Sequence, residues 1–142
     1  MTASIVIAID GPAASGKSST AQAVARALGL AHLDSGALYR GLALVALEAG
    51  QGSGRFDAVT ILAEAERRGM GLHSGEAGFD LWLDGRDAEG RIRSPEVTAH
   101  VSEVSTIPEL REWVNARIRR AATGVFGVVV DGRDIGTVVF PD

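Results

Sequence analysis

At 142 residues, 46% of them hydrophobic and 23% charged, the chain has the size and composition of one soluble globular domain with a core of its own. A formal net charge of −4 argues against a protein that coats nucleic acid, which needs a concentrated basic surface. The absence of cysteine excludes disulfides, thiolate metal sites and a cysteine nucleophile.

No apolar run approaches membrane-spanning length and no basic segment precedes Ile5, so a cytoplasmic protein engaging neither nucleic acid nor membrane is expected, and a monomer. Ile5-Val6-Ile7-Ala8-Ile9 reads as a buried strand. It runs into Asp10 and then Gly11-Pro12-Ala13-Ala14-Ser15-Gly16-Lys17-Ser18, followed by Ser19 and a helical pattern with Ala21, Val24, Ala25 and Leu28 inward. Gly11, four residues, then Gly16-Lys17-Ser18 fits the phosphate-binding loop G-x-x-x-x-G-K-[ST] in its proper context of strand, loop and helix. Glycines let successive backbone N–H groups turn around a phosphate, and the following helix aims its positive end at the same point. Lys17 can then reach the β- and γ-phosphates of a nucleoside triphosphate, and the Ser18 hydroxyl can ligate Mg²⁺. Lys17 is also the only lysine, the other 13 basic residues being arginine.

Leu30 to Leu33 is short and apolar enough for a second strand. Asp34-Ser35-Gly36 then offers a turn, with Ser35 as N-cap of a helix that Gly50 closes. Leu38, Leu42, Val45 and Ala49 form its expected buried stripe, with Ser35, Tyr39 and Arg40 on a neighbouring face at the sheet's carboxyl edge, where open α/β sheets bind ligands. Phe56 to Arg68 reads as a surface helix with Val59, Leu62 and Ala63 inward. From Met70 the pattern changes to alternation: a hairpin with Phe79, Leu81 and Leu83 on one side, then a third short strand from Gly85 to Ile92. Ser94-Pro95 starts a helix with Val97, Val101 and Val104 inward, and Pro108 opens another with Leu110, Val114, Ile118 and Ala121 inward.

Val128-Val129-Val130-Asp131 has the continuous apolar character of a central parallel strand, so that Asp131 should emerge beside the phosphate loop. Only Gly132 to Gly136 separate it from Thr137, too few for a parallel crossover of about a dozen residues, so the sheet is expected to be completed beyond Asp142. The fold expected is α/β: a P-loop three-layer α/β/α domain over 1–142, incomplete at its C-terminus, with a small antiparallel β insert. His32, His73 and His100 show no metal spacing and receive no function; Trp82 and Trp113 read as packing residues, and Arg117, Arg119 and Arg120 as a solvated face. The loop by itself leaves open another small-molecule P-loop kinase, or a nucleotide-binding module without turnover. With one lysine and one asparagine, Asn115, no guanine-reading Asn-Lys-x-Asp can be built.

Five segments together resemble a known family, the bacterial cytidylate kinases among the nucleoside-monophosphate kinases. They are Ile9 to Pro12 with the loop, Leu33 to Arg40, Ile92 to Val97, Pro108 to Arg111, and Asp131 to Asp142. The resemblance implies transfer of the ATP γ-phosphoryl group to CMP or dCMP, with ATP and Mg²⁺ required, and makes the region from about 70 to 105 a monophosphate-binding insert. It implies that Gly11, Pro12, Ala13, Ala14, Ser15, Gly16, Lys17, Ser18 and Ser19 hold ATP, and that Ser18 and Asp131 hold the metal. Lys17, Arg133 and Asp131 would be catalytic. Ser35, Tyr39, Arg40, Arg93 and Arg133 would hold the acceptor nucleotide, and Ser102, Arg111 and Asp134 would read its base. The residues alone allow plainer roles for some of these: Tyr39 could cover core, Arg111 could be a solvated helix arginine, and Ser102 could face water.

Overall fold

A computed structural model describes residues 5–11, 17–75, 78–123, 125, 127–132 and 135–136, with Lys17 and Ser18 described for their backbone. The chain divides into two compact units, one containing the described residues of 1–36, 74–79 and 115–142, the other 37–73 and 80–114. Among the described residues no helix is long and apolar enough to cross a membrane.

The first unit is built on a parallel sheet in the order β1 (Ile5–Asp10), β6 (Gly127–Gly132), β2 (Ala31–Asp34). Every residue of β6 is buried, as its uninterrupted valines require of a strand with neighbours on both edges. Helix α1 (Lys17–Leu28) crosses one face of this sheet, where Ala21 and Ala25 pack with Val129 and are flanked by Ile7, Ile9, Val24 and Leu30. Gly29 at φ 68° ends it: the Leu30 N–H reaches back to the Ala25 carbonyl at 2.9 Å, the six-to-one bond of a Schellman cap. Leu28, expected inward, is the last residue of the helix and is exposed.

The second unit centres on α2 (Ser35–Glu48), which belongs to it from Ala37 onward and whose residues Gly41 to Ala46 are all buried. Leu38, Leu42 and Val45 lie inward as expected, but the helix stops at Glu48 and Ala49 is exposed. Helix α3 (Ala58–Arg67) is phased differently from its reading. Asp57 caps it by accepting from the Thr60 N–H at 3.1 Å, Ile61 and Ala65 turn inward, and Val59 is 77% exposed. The stripe Ala58, Ile61, Leu62, Ala65 is as apolar as the expected one, so periodicity could not choose between them. Strands β3 (Gly71–Gly75), β4 (Gly78–Leu83) and β5 (Arg86–Asp87) form a separate antiparallel sheet in that order.

Leu81 and Leu83 are fully buried, as their alternation requires. The third strand is only two residues long. Asp84 and Gly85 take φ of 57° and 79°, the tight primed turn that an Asp-Gly pair favours, and the chain then closes into a 3-10 turn at Arg91–Arg93 rather than continuing extended to Ile92. Helix α4 (Pro95–Val104) begins as read, with the Ser94 hydroxyl accepting from the Val97 N–H at 3.2 Å and Pro95 in its first turn. Helix α5 (Pro108–Thr123) buries Leu110, Val114 and Ile118, and then Ala122 in place of Ala121, continuing the four-residue step.

Candidate active site

The phosphate-loop sequence begins where β1 ends. The Gly11 N–H donates to the Gly132 carbonyl at 3.2 Å, so the segment entering the loop is joined to the end of the central strand. Pro12, Ala13, Ala14, Ser15 and Gly16 lie outside the described residues; Lys17 and Ser18 are the first residues of α1, and Ser19 follows exposed in its first turn.

Asp131 stands opposite Ile9 on β1 and Asp34 on β2. Laterally paired residues share a face, as do residues two apart along a strand. Since Ile7, Ile9 and Val129 pack against α1, Asp131 lies on the face that the phosphate-loop helix covers, with its side chain 1% exposed. His32 is paired with Val129, which places it on the same face and diagonal to Asp131, and His32 Nε2 meets Asp131 Oδ1 at 2.5 Å. A carboxylate oxygen accepts, so the ring nitrogen donates.

Two further groups collect at this strand end. Ser35, the first residue of α2, is buried, and its hydroxyl occupies the space that a Cβ on Gly132 would need. The Asp10 carboxylate accepts from the Ile135 N–H at 2.6 Å and the Gly136 N–H at 3.1 Å. The chain on either side of Arg133 and Asp134 is therefore fastened to the end of β1 and its loop. Arg133 and Asp134 themselves lie outside the described residues.

The remaining site residues belong to the second unit. Tyr39 and Arg40 lie half-buried one turn along α2 from Ser35. Arg40 Nη1 donates to Thr98 Oγ1 at 2.8 Å and to the Ile92 carbonyl at 3.4 Å, so this arginine is held between α4 and the 3-10 turn. Arg93 is in the same turn, its side chain 49% exposed and 4.0 Å from the Glu89 carboxylate. Arg91 fixes the turn from the other side through Glu48 and Asp84. Arg111 Nη1 donates to the Ser105 carbonyl at 3.2 Å, and the Ser105 hydroxyl donates to the Ser102 carbonyl at 2.8 Å, which joins Arg111 and Ser102 around the end of α4. Ser102 is exposed. Within this unit the structure thus forms two groups, Arg40 with Arg93 and Arg111 with Ser102.

Residues 7–142 match the sequence profile of the family described as cytidylate kinase. The chain belongs to the cytidylate kinase family. It is 46% identical over 142 residues to the cytidylate kinase of Mycobacterium avium strain 104, a match covering 100% of this chain and 61% of the relative. To a cytidylate kinase of Thermus thermophilus it is 43% identical over 137 residues, covering 96% of this chain and 64% of the relative. A bifunctional pantoate ligase/cytidylate kinase of Synechococcus strain JA-3-3Ab is 44% identical over 140 residues, 96% of this chain and 25% of that protein. The chain spans 61% of the length of the first of these cytidylate kinases. A parallel β1-β6-β2 sheet with the phosphate-loop helix on its face, together with a separate antiparallel sheet, is consistent with a P-loop kinase fold, as the resemblance implied.

The sequence assigns no role to His32, Thr98 or Asp10. Thr98 and Asp10 act through contacts 58 and 125 residues apart along the chain, which carry no local signal. His32 could have been found only by fixing the register of β2 against β6, since its place diagonal to Asp131 follows from that register alone.

Proposed function

We propose that the protein is an ATP-dependent nucleoside-monophosphate kinase that converts CMP or dCMP to the diphosphate. The observation that carries the reading is the position of Asp131, buried at the end of the central strand on the face covered by the helix that Lys17 and Ser18 open. An oxygen of the acceptor 5′-phosphate attacks the γ-phosphorus in line, the bond to the β-phosphate oxygen breaks, and ADP leaves. A phosphate oxygen is already nucleophilic at neutral pH, so no general base is required and the protein contributes position and charge. Lys17 and Arg133 stabilise charge on the transferring group. Ser35, Tyr39, Arg40, Arg93 and Arg133 hold the acceptor, with Arg40 and Arg133 on its phosphate.

Ser18 and Asp131 would hold Mg²⁺. One Asp131 oxygen is taken by His32, and the other has no hydrogen-bond partner among the described residues. No cluster of three or more ligating side chains occurs among the described residues. Such a donor set suits Mg²⁺, which takes one or two carboxylates and completes its shell with water and phosphate oxygens. When bound, it neutralises charge on the β- and γ-phosphates.

Ser102, Arg111 and Asp134 read the base. Cytosine offers an amino donor beside its N3 acceptor, which a carboxylate and a guanidinium complement; uracil reverses both and leaves unpaired groups at about 1 to 3 kcal/mol each. Calorimetric titration with CMP, dCMP, UMP and AMP tests this. Tighter binding of CMP or dCMP than of AMP and UMP is expected, and ATP binding by a folded protein that discriminates among none of them removes the cytidylate assignment. Lys17→Met should lower turnover about a hundredfold or more, the loss typical of one preorganised charge contact. Turnover within a few-fold of the parent would take Lys17 out of that role.

A further inference from the structure

His32 has the position of a group that acts through another. It is 9% exposed, its Nε2 is 2.5 Å from Asp131 Oδ1, and Asp131 is 1% exposed. A carboxylate can rotate about its last bond, so a single short donor on one oxygen determines where the other oxygen points. The histidine itself has little freedom to follow a moving partner. Its backbone lies in β2, paired with β6 at Val129. The start of β4 approaches so closely that a Cβ on Gly78, at φ 137°, would collide with the His32 carbonyl and lie 2.9 Å from its amide nitrogen. A donor of this kind behind a ligating carboxylate is the usual arrangement around protein-bound metals, where it fixes ligand orientation.

We propose that His32 is a positioning residue for phosphoryl transfer: by holding Oδ1 of Asp131 it sets the direction of Oδ2 toward the metal–nucleotide. This rests on the kinase reading of the site and adds to it a residue that makes no contact with substrate in its own right. The same contact explains why a polar ring is kept among apolar residues on the face packed against α1, where Val129 beside it needs nothing but another hydrocarbon.

The test uses two amides that differ by one methylene. His32→Gln can present an N–H at about the reach of Nε2, whereas His32→Asn stops short at the reach of Nδ1. Binding of Mn²⁺ in the presence of ATP, followed by water-proton relaxation, is compared with calorimetric binding of ATP in excess chelator. The expected result is a loss of about tenfold or more in Mn²⁺ affinity for His32→Asn, in the range seen when outer-shell partners of metal ligands are removed, with recovery to within a few-fold in His32→Gln. Metal-free ATP binding should be equal in all three proteins. Parent-like Mn²⁺ affinity in a folded His32→Asn protein overturns the proposal, and so does an equal loss of ATP binding with and without metal, which would mark a purely structural role. Should His32→Asn prove too unstable, His32→Gln alone decides: a folded Gln protein that has lost tenfold in Mn²⁺ affinity is incompatible with a role as donor. A parent protein whose ATP binding draws in no Mn²⁺ overturns the reading of the site as a whole, and is told apart from the other outcomes because it is seen before any substitution is made.

Discussion

One interior and one exterior cluster each set a carboxylate against nitrogen donors, and the two could hardly differ more in cost. In the first unit, His32 and Asp131 share one contact with side chains 11% and 1% exposed. In the second, Arg68 sits 2.6 Å from Asp84 and 2.8 Å from Glu48, while Arg91 reaches the same two carboxylates at 3.4 and 3.1 Å, and both carboxylates stay over a third exposed. The distances are similar. What separates the clusters is water. Exposed pairs contribute little each and lose part of that to salt. A buried carboxylate forgoes hydration worth several kcal/mol, and an apolar pair of the same volume would often serve stability as well or better. The exterior network, which stitches the ends of α2 and α3 to the β4–β5 turn and the 3-10 turn, therefore costs little and stabilises little per pair. Stability does not account for the interior pair, which chemistry at the end of β6 explains better.

The comparison breaks most visibly if the interior pair is cut. Asp131→Leu leaves the His32 N–H buried without its acceptor, and should cost about 3 kcal/mol, the range for removing one partner of a buried pair. Chemical denaturation of the parent and the variant measures it. A loss below about 1 kcal/mol would place this pair in the same class as exposed ones.

How much of this could be read beforehand follows the range of the signals. The β1, loop and α1 unit is legible because strand, glycines and helix are consecutive, and α4 is legible because Ser94 and Pro95 mark its start within two residues. The phase of α3 is not, since two stripes are equally apolar and only the Asp57 cap and the packing of Ile61 decide. The short β5 is not, since Arg86-Asp87 continues an alternation that the turn at Asp84 and Gly85 has already diverted. The place of Asp131 at the end of a central strand is legible in the valine run before it, while its contact with His32 is not, because a diagonal contact depends on a register that no sequence pattern states.

Inside the second unit a smaller test opposes local preference to packing. Gly41 lies mid-helix in α2, where alanine would ordinarily be better by about 1 kcal/mol. A Cβ there would stand 2.6 Å from Leu81 Cδ2 and 2.8 Å from Met70 Sδ, and both neighbours are buried in the core. Overpacking of this kind costs about 1 to 3 kcal/mol, so Gly41→Ala should destabilise by about 1 kcal/mol net. The sign is the test: a more stable variant would mean that Leu81 and Met70 yield freely and that the core here is looser than its burial indicates.

The exterior network offers the smallest effect and the most particular signature. The hydrogen bonds from Arg68 come first, and those from Arg91 after, in holding the Asp84 carboxyl down at about 2. In the unfolded chain it returns to an ordinary value near 4. A carboxylate whose value is lowered by folding contributes stability that is fully present above the unfolded value and is lost as pH falls through the folded one. Asp84→Asn should therefore be less stable than the parent at pH 7, by an amount that shrinks in high salt, and the gap between them should narrow from about pH 4 and close near pH 2. Denaturation midpoints of the two proteins across that range measure it. A gap that stays constant to pH 2 would mean that Asp84 acts through its left-handed turn, a backbone role independent of charge, and not through the arginines.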